Sequence, residues 1–233
     1  METLTKEKNV LQQKDFVGIY EIITCKVDIL ISTDFKTIRQ QILYEVKKIK
    51  EGVNGWCVTS RHPSKKITLH SAKDTEGNIL SAKWNIIKEA LTEIHISFNK
   101  EIPVGKTFKF HFDYSQPIDS TIITNTWFSK LYLVNIPKAF GTHCQLISCT
   151  IEFESKFIEI TKVIPESKVM NYKDKIHYEE SLRPFEFFNL SFIVRNGFLG
   201  IKVSKNIEKI FWIIISAFVG ITLTIIYNKI FAP

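Results

Sequence analysis

The chain has 233 residues, 45 % of them hydrophobic, with eighteen Phe but only nine Gly and seven Pro. This composition excludes a disordered or collagen-like chain and leaves room for one well-cored domain or two small ones. The formal charge is +7, but residues 201–233 hold four Lys and one Glu, so the first 200 residues carry only +4, too little to imply nucleic acid.

Residues 1–14 are polar. The start METLTKEKNVLQQKDF has charges and no apolar stretch, so it does not read as a signal peptide. A β-domain is expected over 15–195. Its first strand is Phe16-VGIYEIITCKVDILIS, alternating in character and closed by the turn residues Ser32, Thr33 and Asp34. Residues 37–50 fit two periods. Ile38, Ile42, Val46 and Ile49 share a helix face, whereas Ile38, Ile42, Tyr44 and Val46 share a strand face that Gln40 interrupts. The strand reading, as a hairpin with the first strand, agrees better with the β character of the rest.

Short strands follow at Trp56-CVTS, Lys66-ITLHS, Leu80-SAKW and Glu93-IHISF, with Asp74-TEGN as a hairpin turn. Phe108-KFHFDY alternates strictly: Phe108, Phe110, Phe112 and Tyr114 face one way, and Lys109, His111 and Asp113 the other. The aromatic face is read as core, since no basic cluster interleaves with it as a base-stacking platform would need. Trp127-FSKLYLVNIP, Gln145-LISCTIEFES, Phe157-IEITKVIP and Phe185-EFFNLSFIVR are further strands, and the charged stretch Glu166 to Glu180 reads as a loop. About ten strands without alternating long helices predict an antiparallel β-sandwich, immunoglobulin-like, or a barrel. The run Ile94-HISFNKEIPVGKTFKFHFDY is similar to hairpins of prokaryotic immunoglobulin-like sandwiches, a resemblance that names no single family.

No GxSxG, HExxH or GxxxxGK[ST] motif occurs. His62, His70, His95, His111, His143 and His177 are scattered; His70, His95 and His111 fall within expected strands, where neighbouring strands could bring two together, but a strand histidine facing outward is the ordinary reading. Cys25, Cys57, Cys144 and Cys149 match no zinc spacing, although His143 beside Cys144 could offer two ligands. Buried thiols are expected, with no disulfide, no metal, no cofactor and no catalytic residues. Lys47, Lys48 and Lys50 read as a solvated sheet edge.

The C-terminal part reads as a membrane anchor. Residues 196–209 form a basic connector, and residues 210–228 a transmembrane helix. From Ile210 to Tyr227 no charge occurs over roughly 27 Å of helix, and a short tail, 229–233, follows. Trp212 and Tyr227 would sit at the interfaces, and Lys202, Lys205 and Lys209 would hold the N-terminal side in the cytoplasm. Ser216, Ala217, Gly220 and Thr224 make a stripe of small residues suited to helix–helix packing. The function this predicts is a single-pass, tail-anchored, non-enzymatic binding or sensor module. A membrane-perturbing effector of prokaryotic antiviral defence, or a structural subunit of a membrane complex, are the alternatives. The partners expected are a lipid bilayer and a second copy or a membrane-complex protein. Nucleic acid is not expected, and a nucleotide ligand stays open.

Overall fold

The computed structural model describes residues 13–88, 91–125, 129–164, 169–172, 175–184, 186–197 and 205–231. Among them the chain forms β1 (Tyr20–Ile31), β2 (Thr37–Lys48), β3 (Gly55–Ser60), β4 (Thr68–Asp74), β5 (Ser81–Lys88), β6 (Leu91–Ser97) and β7 (Thr107–Pro117). Then come β8 (Asp119–Asn125), β9 (Ser129–Ala139), β10 (Cys144–Phe153), β11 (Ile158–Ile164), β12 (Val169–Tyr172), β13 (Lys175–Leu182), β14 (Phe187–Gly197) and a helix, α1 (Lys205–Phe231). The protein is mainly β, and its strands divide among three sheets. One has the order β12-β13-β10-β1-β2-β7-β4, the second β11-β14-β9-β8 and the third β3-β6-β5. Pairing is antiparallel except between β1 and β10.

Strand periodicity sets the core. Residues 37–48 are a strand that pairs antiparallel with β1 and with β7. Its buried face carries Ile38, Gln40, Ile42, Tyr44, Val46 and Lys48. On β7 the inner face holds Phe110, Phe112 and Tyr114, all buried, with Phe108 partly buried against them. Tyr44, Trp56, Phe98 and Phe108 surround Phe110 with ring centroids between 5.1 and 6.1 Å from its own, within the range of favourable aromatic pairs. The outer face of the same two strands is polar: Arg39 grips Asp113 through Nε at 3.0 Å and Nη2 at 2.6 Å, and Gln41 donates to it at 3.4 Å.

The turn at Ser32 to Asp34 forms as the sequence implies, with Asp34 accepting from the Ser32 hydroxyl and the Lys36 amide. Phe35 ends it at φ 56°, a left-handed conformation that a bulky residue rarely adopts. Burial explains why it is held there: Phe35 stacks on Tyr132 of β9 at 4.3 Å, joining the large sheet to the four-stranded one.

Several expectations need correction. The 94–114 run is not a hairpin, because β6 pairs with β3 and β5 while β7 pairs with β2 and β4. The turn at 74–78 does form, with Asp74 accepting from the Glu76 and Asn78 amides, yet the strands it joins part into different sheets. Inside Glu166 to Glu180, β12 and β13 pair and extend the large sheet. Lys48 is not at an edge: β2 lies between β1 and β7, and the Lys48 side chain is buried with Nζ 3.4 Å from Glu51.

The membrane anchor is the largest correction. Among the described residues no helix is long and apolar enough to cross a membrane. The tail-anchored and single-pass readings therefore fall. So do the cytoplasmic placement drawn from Lys205 and Lys209 and the clustering effector. Lys202 lies outside the described residues. Within α1, the Thr224 hydroxyl donates to the Gly220 carbonyl at 2.8 Å, so that member of the small-residue stripe bonds within its own helix.

Candidate functional site

The three sheets meet around a cavity of about 580 Å³. Tyr44, Gln40 and Tyr114 reach it from the large sheet, Trp56 and Cys57 from β3, and Asn135 from β9. This volume lies in the usual range for small-molecule sites, and the lining mixes aromatic rings with amides in the manner of such sites. Exposed Arg61 and Asp119 also line it, so charges of both signs stand where it meets solvent. His62, beside Arg61, has its pKa lowered by burial and by the charge of Lys66, against a smaller opposing pull from Asp119. Burial also drives the Tyr44 phenol well above its ordinary range, so it is a neutral hydroxyl.

Gln40 is the polar group that stands out. It occupies a buried-face position of β2, between Ile38 and Ile42, and is 2 % exposed. Its Oε1 has no hydrogen-bond partner among the described residues. An unsatisfied buried acceptor costs about 1–3 kcal/mol, so its retention beside a cavity asks for a donor from outside. Other amides nearby are already engaged, such as Gln116, whose Oε1 accepts from Ser60 at 2.7 Å.

A second constellation adjoins the cavity. Cys57 on β3 lies directly across from His95 on β6, and Glu93 stands two residues before His95 on the same face. Their ligand-type atoms all lie within 4.8 Å of one another. His95 Nε2 and Glu93 Oε2 are hydrogen-bonded at 2.8 Å, Asn85 of β5 donates to the same carboxylate oxygen at 3.4 Å, and the Phe16 ring lies 5.1 Å from the imidazole. Burial, and then the charge of Glu93, push the Cys57 thiol up to about 12. Cys57 also lines the cavity.

The remaining histidines do not converge on this place. His70 bonds Ser115 at 2.7 Å, His143 pairs with Glu21 at 3.0 Å, and His177 lies between Thr150 and Glu179. Cys144, beside His143, is buried in the core, whereas the His143 side chain is partly exposed and pairs with Glu21. No disulfide joins the four cysteines among the described residues, and Cys57 is the least buried of them. Sequence spacing missed the Cys57, Glu93 and His95 cluster because 36 positions separate Cys57 from Glu93. The local signal was Glu93-Ile-His95, two titratable side chains on one strand face. Gln40 had a signal too, as a polar break between Ile38 and Ile42 on a mainly apolar strand face.

No protein-family model and no curated protein matches the sequence. Solved structures do match in fold. The chain is similar to yeast LTA4 hydrolase in complex with bestatin, with 8 % identity and a TM-score of 0.52 over 84 % of this chain and 33 % of that one. An M1 zinc metallopeptidase variant from Deinococcus radiodurans overlaps 76 % of this chain and 42 % of its own, at 6 % identity and a TM-score of 0.43. The chain thus spans about one third of the length of the yeast protein. At such identity the likeness is one of fold alone. The expectation of a non-enzymatic, tail-anchored membrane module is not supported: no helix among the described residues is long and apolar enough to cross a membrane, and the yeast protein that shares the fold is a hydrolase.

Proposed function

We propose that this chain is the β-domain of a peptidase-like hydrolase and that its cavity holds a peptide-like ligand of that enzyme. The observation that carries the reading is Gln40, a buried acceptor without a partner on the wall of a ligand-sized cavity. A peptide N–H or an amine would satisfy it, while Trp56, Tyr44 and Tyr114 supply apolar surface for a side chain. Arg61 and Asp119 would meet the charged or polar ends. The fold shared with LTA4 hydrolase supports an enzyme context. The sequence lacks HExxH, the two-histidine zinc motif of metallopeptidases, so the cavity is assigned ligand binding and no zinc-peptidase step is placed on that motif.

Titration calorimetry and thermal melting of the full chain with bestatin and with N-acetyl dipeptide amides test this. Saturable binding is expected with at least one of these probes. It should be abolished in Gln40→Leu and kept in Gln41→Leu, whose side chain lies on the outer face of the same strand. Absence of saturable binding with every probe, or binding unchanged in Gln40→Leu, overturns the proposal.

A further inference from the structure

Cys57, Glu93 and His95 offer a thiol, a carboxylate and an imidazole that converge from two paired strands. Sulfur, oxygen and nitrogen donors together suit zinc or cobalt(II) better than magnesium or calcium, which take oxygen ligands. Charge also matches, since a thiolate and a carboxylate with a neutral imidazole carry two negative charges against one dication. We propose that Cys57, Glu93 and His95 form a site for a zinc-class transition-metal ion at the border of the cavity. The inference does not rest on what the cavity binds.

Geometry makes the site reachable with small movements. Metal–ligand bonds of about 2.0–2.3 Å set tetrahedral donors roughly 3.5 Å apart. The donor atoms here already lie within 4.8 Å, so short side-chain rotations close the set. The 2.8 Å contact between Glu93 and His95 opens by a few tenths of an ångström as both turn to the ion. Asn85 bonded to Glu93, and Phe16 on the imidazole, would orient two of the three ligands, as outer-shell partners do in metal sites. Lys83, opposite His95 on β5, is exposed and can turn its charge to solvent. Three protein ligands leave a fourth position open, the arrangement of catalytic rather than structural zinc sites. Loading exchanges the thiol proton for the metal, so binding releases protons and weakens as pH falls.

The full chain, freed of metal and dialysed against cobalt(II) or zinc, gives the test. Close to one metal per chain is expected, with a thiolate-to-cobalt charge-transfer band in the near ultraviolet. Cys57→Ala should remove that band while the far-ultraviolet spectrum stays β-rich, and Asn85→Ala should weaken zinc affinity by roughly tenfold or more. Thiol mapping on the unmutated chain keeps the test open should a variant fail to fold. Zinc should slow iodoacetamide labelling of Cys57 at least about tenfold, in line with a ligated thiolate. Sub-stoichiometric metal, a band that survives Cys57→Ala, or Cys57 labelling indifferent to zinc each overturns the proposal. Rapid labelling of Cys57 at neutral pH that zinc leaves unchanged would mark a thiol nucleophile paired with His95 instead.

Discussion

Strand β7 and helix α1 are both rich in large apolar residues, and the structure treats them oppositely. On β7 the apolar residues alternate with polar ones, so one face can be buried while the other meets water. Phe110 and Phe112 are fully buried and Asp113 engages Arg39 on the far side. On α1 the apolar residues run round the helix, and Phe218, Ile213 and Leu223 are each at least 60 % exposed. Period, rather than apolar content, tells a strand which face to bury. A helix apolar on all faces carries no such instruction, and its composition alone does not say what it meets.

Substitutions in the two regions should separate accordingly. The largest effect is expected for Phe110→Ala. Truncating a buried aromatic ring enclosed by four others costs about 3–5 kcal/mol, read as a lower denaturant midpoint at unchanged slope. A much smaller loss would mean that the aromatic face of β7 is loosely held.

On the outer face of β7, Asp113→Asn should cost about 1–2 kcal/mol at neutral pH, the scale of a charged hydrogen bond. Burial works to raise the Asp113 pKa, but the bonds from Arg39 and Gln41 prevail and hold it below the ordinary aspartate value. Its contribution is therefore complete above the unfolded pKa, near 4, and is lost as pH falls through the lower folded value. Melting temperature followed from pH 7 down to pH 2 should fall less in the Asn variant than in the parent. Equal slopes would show that the ion pair adds nothing.

Gln40→Leu, on the inner face of the neighbouring strand, should act with the opposite sign. Removing an unpaired buried acceptor should stabilise the ligand-free chain by about 1 kcal/mol, measured by denaturant unfolding. A loss of similar size would mean that Gln40 is already satisfied. The smallest effect is expected for Phe218→Ser in α1: at 72 % exposed the ring supports little in the β-domain, whose unfolding midpoint should move by no more than about 0.5 kcal/mol.

Much of the fold was legible locally. The alternation on β7 marked Phe110, Phe112 and Tyr114 as core, and Ser32 to Asp34 read correctly as a turn, because both depend on neighbours in sequence. Sheet membership was not legible. β6 and β7 look like the arms of one hairpin around Pro103 and Gly105, yet they enter different sheets, since long-range partners compete with the local pairing. The charged stretch after Glu166 hides β12, an edge strand, and β13, an inner strand whose Lys175 and Glu179 face outward while Ile176 and Tyr178 are buried. Lys48 looked like a solvated position and is buried with its ammonium near Glu51, and Gln40, which interrupts an apolar strand face, lies on a cavity wall.

By itself the sequence determined a mainly β chain with alternating strands and an aromatic core face, since each of these follows from composition or from residues a few positions apart. Tertiary structure decided the division into three sheets, the cavity where they meet, and the convergence of Cys57 with Glu93 and His95. The physical reason is that side chains on paired strands become neighbours through backbone register, and register across dozens of residues leaves no mark in local spacing.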